Sequence, residues 1–194
     1  MMEFRIISWE EIYNMTLRIS ERIVSSKFHP DIIVGIARGG WIPARILSDV
    51  LYTSALQNVR IEYYSDVGVR GREPIITQPL AGPLKGKRIL LVDEVADSGA
   101  SLIQALGHVK EIGAKETRTA VLILKSTSKI IPDYWIQKID KWIVYPWEHR
   151  ESILSLVKKF QTDDPTLDMT QIREKLVFEV GFQPTTVDYF IKRL

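Results

Sequence analysis

Three carboxylates, Asp93, Glu94 and Asp97, fall within five consecutive positions of the chain. Ahead of them runs Ile89-Leu90-Leu91-Val92, an apolar stretch short enough for a buried strand. Behind them comes the small-residue turn Ser98-Gly99-Ala100-Ser101. Leu102, Ile103, Leu106 and Val109 then recur at helical spacing, and Gly113 follows as a stop. The stretch therefore reads as strand, acidic loop, helix N-terminus. A helix N-terminus offers unpaired N–H groups and a partial positive charge, which suit a phosphate. Carboxylates at the carboxyl end of a strand suit sugar hydroxyls or a hydrated Mg²⁺. Together they make a site for a phosphorylated sugar.

The elements that must position this stretch alternate in type. Residues 4–7 form a short strand candidate. Ser8 and Glu11 suit a capping box, and Ile12, Met15, Ile19 and Ile23 mark one face of a helix. Residues 31–36 read as a buried strand, Arg38-Gly39-Gly40 as a tight turn, and residues 41–51 as a helix with Pro43 tolerated in its first turn. Residues 59–64 alternate as a strand does. Residues 65–83 lack a helical period, with Ile75-Ile76 a small ribbon at most. A loop of that length in a compact domain suggests a lid or a disordered segment. After the central strand and helix, residues 117–124 and 141–145 are further strands. The fold class expected is α/β: a central, mostly parallel sheet flanked by helices. Ligands in such sheets sit outside the carboxyl ends of the strands.

Beyond Trp147 the texture changes. Ile153, Leu156, Val157 and Phe160 mark one helix; Met169, Ile172, Leu176 and Val180 a second, closed by Gly181; and Pro184 opens a third carrying Val187, Phe190 and Ile191. We therefore expect a domain over residues 1–147 and a helical extension over 148–194. Across its 194 residues the chain carries 26 Lys and Arg against 24 Asp and Glu, with no dense basic block. A protein held mainly by nucleic-acid phosphates is not expected. There is no cysteine, which excludes disulfides, thiol catalysis and Cys-ligated zinc. The first residues do not read as a signal peptide, and no apolar run approaches a membrane span, so a cytoplasmic protein is expected.

Asp93-Glu94-Val95-Ala96-Asp97-Ser98-Gly99-Ala100-Ser101 resembles the phosphoribosyl-pyrophosphate (PRPP) signature of type I phosphoribosyltransferases: two acids, two intervening residues, then Asp-Thr/Ser-Gly-x-Thr/Ser. The resemblance covers about residues 32–148. It implies that Asp93 and Glu94 hold the ribose hydroxyls, directly or through Mg²⁺. It also implies that Ala96, Asp97, Ser98, Gly99, Ala100 and Ser101 make up the rest of the PRPP site, with residues 97–101 around the 5′-phosphate. In the 6-oxopurine branch the acid matching Asp97 lies near N7 of the base and exchanges a proton there. Arg38 and Gly39 match the pyrophosphate loop. The stretch from Tyr64 to Pro74 matches a mobile catalytic loop in which Ser65, Arg70 and Arg72 would touch pyrophosphate.

Lys125, after its strand, and Trp142-Ile143-Val144-Tyr145-Pro146-Trp147-Glu148 resemble the small xanthine–guanine enzymes. By that match Lys125 donates to O6 of the base, Trp142 stacks on the purine and backbone groups of Ile143 read its edge. Glu148 stands where the family more often has Asp associated with Mg²⁺–pyrophosphate. The implied activity is transfer of ribose-5-phosphate from PRPP to a purine, with hypoxanthine, guanine or xanthine favoured. The products are a nucleoside monophosphate and pyrophosphate, as in purine salvage, and a homodimer is expected. Two alternatives stand beside it: an adenine enzyme on the same scaffold, as in archaeal-type relatives with this layout, and a PRPP-sensing regulator that binds nucleic acid through the tail helices. The tail's acids offset its cations and weigh against the second.

Overall fold

Strands rich in Ile, Leu and Val with no polar alternation must be covered on both faces, and the computed structural model shows how this chain covers them. Residues 3–64 and 73–193 are described. The described strands are β1 (Phe4–Ile6), β2 (Ile32–Ala37), β3 (Leu56–Tyr64), β4 (Glu73–Gln78), β5 (Arg88–Ala96), β6 (Glu116–Leu124), β7 (Gln137–Lys138) and β8 (Trp142–Val144). The helices are α1 (Trp9–Ser25), α2 (Trp41–Val50), α3 (Ala100–Glu111), α4 (His149–Asp163), α5 (Met169–Glu174) and α6 (Pro184–Ile191). The chain divides into two compact units, one of residues 12–140 and one of residues 1–11 with 141–194.

The larger unit holds a six-stranded sheet in the order β4-β3-β2-β5-β6-β7. All neighbours are parallel except β3 and β4. In β2 residues 32–36 are buried, and in β5 residues 89–93 are, as a central parallel pair requires. Helix α2 packs on β2 and β5, and α3 packs on β4, β5 and β6. The edge strand β4 lies within residues 65–83, where little more than a ribbon is expected from sequence. Pro74 is tolerated there because the outer side of an edge strand has no ladder partner for its missing N–H. Ile76 packs against the core while Ile75 is exposed.

Chain order and sheet order together locate a crevice. From β2 the chain crosses through α2 to β3, on one side; from β5 it crosses through α3 to β6, on the other. The carboxyl ends of β2 and β5 are therefore adjacent with their connections diverging, the place where ligands bind in open parallel sheets.

In the second unit β1 pairs with β8 in parallel, Phe4 opposite Trp142 and Ile6 opposite Val144. Val144 shares a core with Ile153, Leu156 and Val157 of α4, with Ile172, Leu176, Val180 and Phe182, and with Val187 of α6. Asp168 and Gln171 form a reciprocal capping box on α5, whose line continues as a π-helical turn over Lys175–Val180 and stops at Gly181 with φ +96°.

Candidate functional site

A cavity of about 560 Å³ opens at the carboxyl end of β5, lined by Tyr63, Asp93, Glu94, Val95 and residues 97–102. Two kinds of constraint shape it. Gly99 caps α3 with φ +77°, a left-handed conformation that glycine adopts at no steric cost. A methyl there would also lie 2.6 Å from Ile130 Cγ2 and 2.8 Å from Ser128 Oγ. The turn thus brings residues 98–101 onto the helix N-terminus, whose first N–H groups have no partner within the helix; the Ala100 N–H donates to Ser98 Oγ at 3.3 Å.

The second constraint comes from β2. The turn Arg38-Gly39-Gly40, which follows a cis Ala37–Arg38 peptide, lies directly on the end of β5. A methyl on Gly40 would fall 2.5 Å from the Val92 carbonyl oxygen, 2.7 Å from that of Ile36 and 2.8 Å from Asp93 Cα. A methyl on Gly39 would fall on the Glu94 carboxylate, 2.5 Å from Oε2 and nearer still to Oε1. Glycines here let one backbone touch another, and the contact seats the expected pyrophosphate loop against the acidic pair. Arg38 itself is exposed.

Asp93 is buried. Burial, then the Glu94 charge and a hydrogen bond that the protonated Asp93 carboxyl gives to the Glu94 side chain, push its pKa well above the ordinary carboxylate value; the Glu94 N–H, donating to Oδ1 at 2.9 Å, acts the other way. Two adjacent carboxyl groups at the rim of a cavity are what a cation or a pair of sugar hydroxyls would relieve. Among the described residues no three or more His, Asp or Glu side chains gather into a metal cluster. Mg²⁺, which keeps its waters and binds through one or two carboxylates plus substrate oxygens, fits.

Asp97 is the exposed acid of the three, its side chain 61% accessible. Lys125, at the end of β6 and only 15% accessible in its side chain, places Nζ 3.1 Å from Asp97 Oδ2. The structure thus joins two residues read separately from the sequence. Ala96, expected in the site, is buried and does not line the cavity; its carbonyl accepts the Lys125 N–H at 3.0 Å. Ser65 and Arg70, and with them Arg72, lie outside the described residues. In the other unit Trp142 is 53% exposed on β8, Ile143 beside it is buried, and Glu148 closes a 3₁₀ turn over Pro146–Glu148.

Three residues of this site were not legible beforehand. Tyr63 reaches from β3 to within 2.9 Å of Ser101 Oγ with its hydroxyl. Thr127 Oγ1 lies 3.0 Å from the Asp97 carbonyl oxygen and 3.1 Å from Asp97 Oδ1. Asp140 accepts both the N–H and the hydroxyl of Ser126 at 2.7 Å, bonds that hold its own pKa below the usual range. The alternation of β3 places Tyr63 and Ile61 on one face, a signal that could have drawn attention to the tyrosine. Nothing local marks Thr127 or Asp140.

A helix N-terminus, a carboxylate pair at the adjoining strand end and a glycine turn from the neighbouring strand meet at the switch point of a parallel sheet, an arrangement suited to a phosphorylated sugar. The phosphoribosyl transferase domain model matches residues 8–152, and the chain belongs to that family. Xanthine phosphoribosyltransferase 1 of Saccharomyces cerevisiae is 30% identical over 184 residues, covering 73% of this chain and 88% of the relative. The hypoxanthine-guanine phosphoribosyltransferase of Schizosaccharomyces pombe is 31% identical over 183 residues, covering 74% and 88%. Among solved structures, a purine phosphoribosyltransferase from Pyrococcus horikoshii Ot3 is similar with a TM-score of 0.69 and 37% identity, covering 75% of this chain and 94% of that one.

Proposed function

We propose that this chain transfers ribose-5-phosphate from PRPP to a 6-oxopurine. A ring nitrogen of the base attacks C1 of the ribose, the bond from C1 to the pyrophosphate oxygen breaks, and pyrophosphate leaves with the electron pair. The base gives up its N–H proton to Asp97. The observation that carries the reading is the Asp97–Lys125 pair at 3.1 Å beside the phosphate turn. It sets a proton acceptor and a hydrogen-bond donor side by side, the pattern a purine with N7–H next to a 6-oxo group complements. Adenine would bring an amino donor against the Lys125 ammonium.

The remaining roles follow from position and chemistry. The N–H groups and hydroxyls of residues 98–101 hold the 5′-phosphate, and Asp93 and Glu94 hold the ribose hydroxyls. Arg38, with the Gly39 backbone, meets the pyrophosphate; Ser65 and Arg70 are assigned to the same group by their place in the sequence. Trp142 stacks on the base and the Ile143 backbone reads its edge, assignments supported by the motif and by the exposed indole. Asp93 and Glu94 would hold Mg²⁺ together with substrate oxygens, where it would supply positive charge for the leaving pyrophosphate; Glu148 is assigned to the metal by its place in the sequence motif alone. Binding both substrates in line removes about 7–11 kcal/mol of an otherwise bimolecular barrier, and no protein nucleophile is needed. Among the described residues no helix is long and apolar enough to cross a membrane. A cytoplasmic homodimer belongs to this same reading.

The test is a turnover panel of the whole chain with PRPP and Mg²⁺ against hypoxanthine, guanine, xanthine and adenine, with nucleotide and pyrophosphate quantified. Nucleotide from at least one 6-oxopurine, faster than from adenine, is expected. Adenine as the best substrate would overturn the base assignment, and no nucleotide from any base would overturn the reaction.

A further inference from the structure

We propose that Thr127 is a positioning residue for Asp97, holding its carboxylate on line when Lys125 turns to the base. The inference rests on the reading above and extends it to a residue that reading does not use.

Asp97 needs such a restraint. It sits on the exposed turn between β5 and α3, and its carboxylate is gripped from the end of β6. Lys125 takes Oδ2 at 3.1 Å. Thr127 Oγ1 lies 3.1 Å from Asp97 Oδ1 and 3.0 Å from the Asp97 main-chain oxygen, so its one hydrogen is within reach of both. One residue thus ties both the side chain and the backbone of the acid.

The two grips differ in what a substrate does to them. A 6-oxo group draws the ammonium of Lys125 away, which empties Oδ2 for the N–H of the base. Without a second tether the carboxylate would then rotate freely on an exposed loop. Thr127 has no counterpart on a purine and stays in place, so Oδ2 is the oxygen presented. Selection of the base and release of the acid for its proton become one event.

Thr127 can act this way because its own loop is fixed. The Lys125 N–H donates to the Ala96 carbonyl at 3.0 Å, and the Lys129 N–H to that of Ser98 at 3.0 Å. Ser126 is fastened by its N–H and hydroxyl to Asp140 at 2.7 Å. The β-branch of threonine narrows its own rotamers, so the hydroxyl is carried on a stiff side chain from a pinned backbone.

Thr127→Val keeps the shape and removes the hydroxyl; Thr127→Ser keeps the hydroxyl and removes the methyl. Thr127 is exposed, so both chains should fold. Steady-state kinetics with PRPP and the best 6-oxopurine should show kcat reduced about tenfold in Thr127→Val, the size of losing one hydrogen bond to a charged group. KM for PRPP should stay within about twofold, and Thr127→Ser should recover most of kcat. Unchanged kcat in Thr127→Val overturns the role. So does a raised KM for PRPP with kcat kept, which would make Thr127 a brace of the phosphate turn. Equal loss in both variants also overturns it, since the methyl would then be what matters. A wild-type chain silent with every base fails the underlying reading instead, a distinguishable result.

Discussion

Gly39 and Gly40 are neighbours in sequence with opposite expected responses to the same small substitution. Gly40 has φ −63° and ψ −15°, a conformation open to any residue, so its need for glycine is space and not torsion. A methyl there would stand 2.5 and 2.7 Å from two carbonyl oxygens and 2.8 Å from Asp93 Cα. Carbon normally meets a carbonyl oxygen at about 3.3 Å or more, so the overlaps are about 0.6–0.8 Å. All three neighbours are backbone of buried strands β2 and β5, which can yield only by parting. Overpacking of this kind costs typically 1–3 kcal/mol; taking about 3 kcal/mol and about 2–4 °C per kcal/mol for a chain of this length, Gly40→Ala should lower Tm by about 6–12 °C. At Gly39 the clash is with the end of the Glu94 side chain, which can swing aside for about 1 kcal/mol. Gly39→Ala should therefore melt within about 4 °C of wild type. If the displaced Glu94 carboxylate holds the ribose hydroxyls as proposed, KM for PRPP should nonetheless rise about tenfold to a hundredfold. Thermal unfolding by circular dichroism, paired with PRPP titrations of the rate, reads both effects. A Gly40→Ala chain melting with the wild type would refute the packing argument, and equal losses of Tm in both variants would refute the distinction between backbone and side-chain neighbours.

Tyr63→Phe removes the hydroxyl that reaches Ser101 at 2.9 Å and should raise KM for PRPP about twofold to tenfold; an unchanged KM would place the tyrosine outside the phosphate site. Trp142→Ala should weaken base binding by about 1–3 kcal/mol if the indole stacks on the purine, read as the base KM, and no change would leave it a surface residue. Asp31 has its pKa held below the ordinary carboxylate range first by the side-chain hydrogen bond from Arg88 and then by the Arg88 N–H. A depressed native pKa contributes stability that is present above the unfolded value, about 3.9, and is lost as pH falls through the lower native one. The fall of Tm below about pH 4 should therefore be shallower in Asp31→Asn; an identical acid limb would show that the pair contributes nothing measurable.

Legibility followed the range of the interactions. The central strand, the acidic loop and the helix after it were readable because each signal is local: a hydrophobic run, then acids, then glycine among small residues. The tail helices were readable for the same reason, although the π-helical turn at Lys175–Val180 leaves no separate mark in a 3.6-residue pattern. Strand edges were less so. β3 begins at Leu56, three residues ahead of the alternation, because its pairing with β2 extends the strand past the point where side-chain pattern alone would end it. The two-residue β7 is likewise defined by its parallel partner β6. Strands β1 and β8 were each visible as short apolar runs, yet their pairing sets Phe4 opposite Trp142, far apart in the chain, and three-residue strands carry no register information of their own.

The sequence by itself determined the residue types and local form of Asp93 to Ser101, since the groups proposed for phosphate, sugar and proton all lie in one continuous stretch whose local conformation is set by its own residue types. It likewise determined that Gly39 and Gly40 stand at a turn. Tertiary structure decided what those residues do to one another. Only the strand order β3-β2-β5-β6 brings the glycine turn against Glu94, and only the parallel pairing of β5 with β6 sets Lys125 and Thr127 on the two oxygens of Asp97. Those contacts join residues about 30 to 55 positions apart, and no periodicity reaches that far because hydrophobic patterning selects a face and not a neighbour.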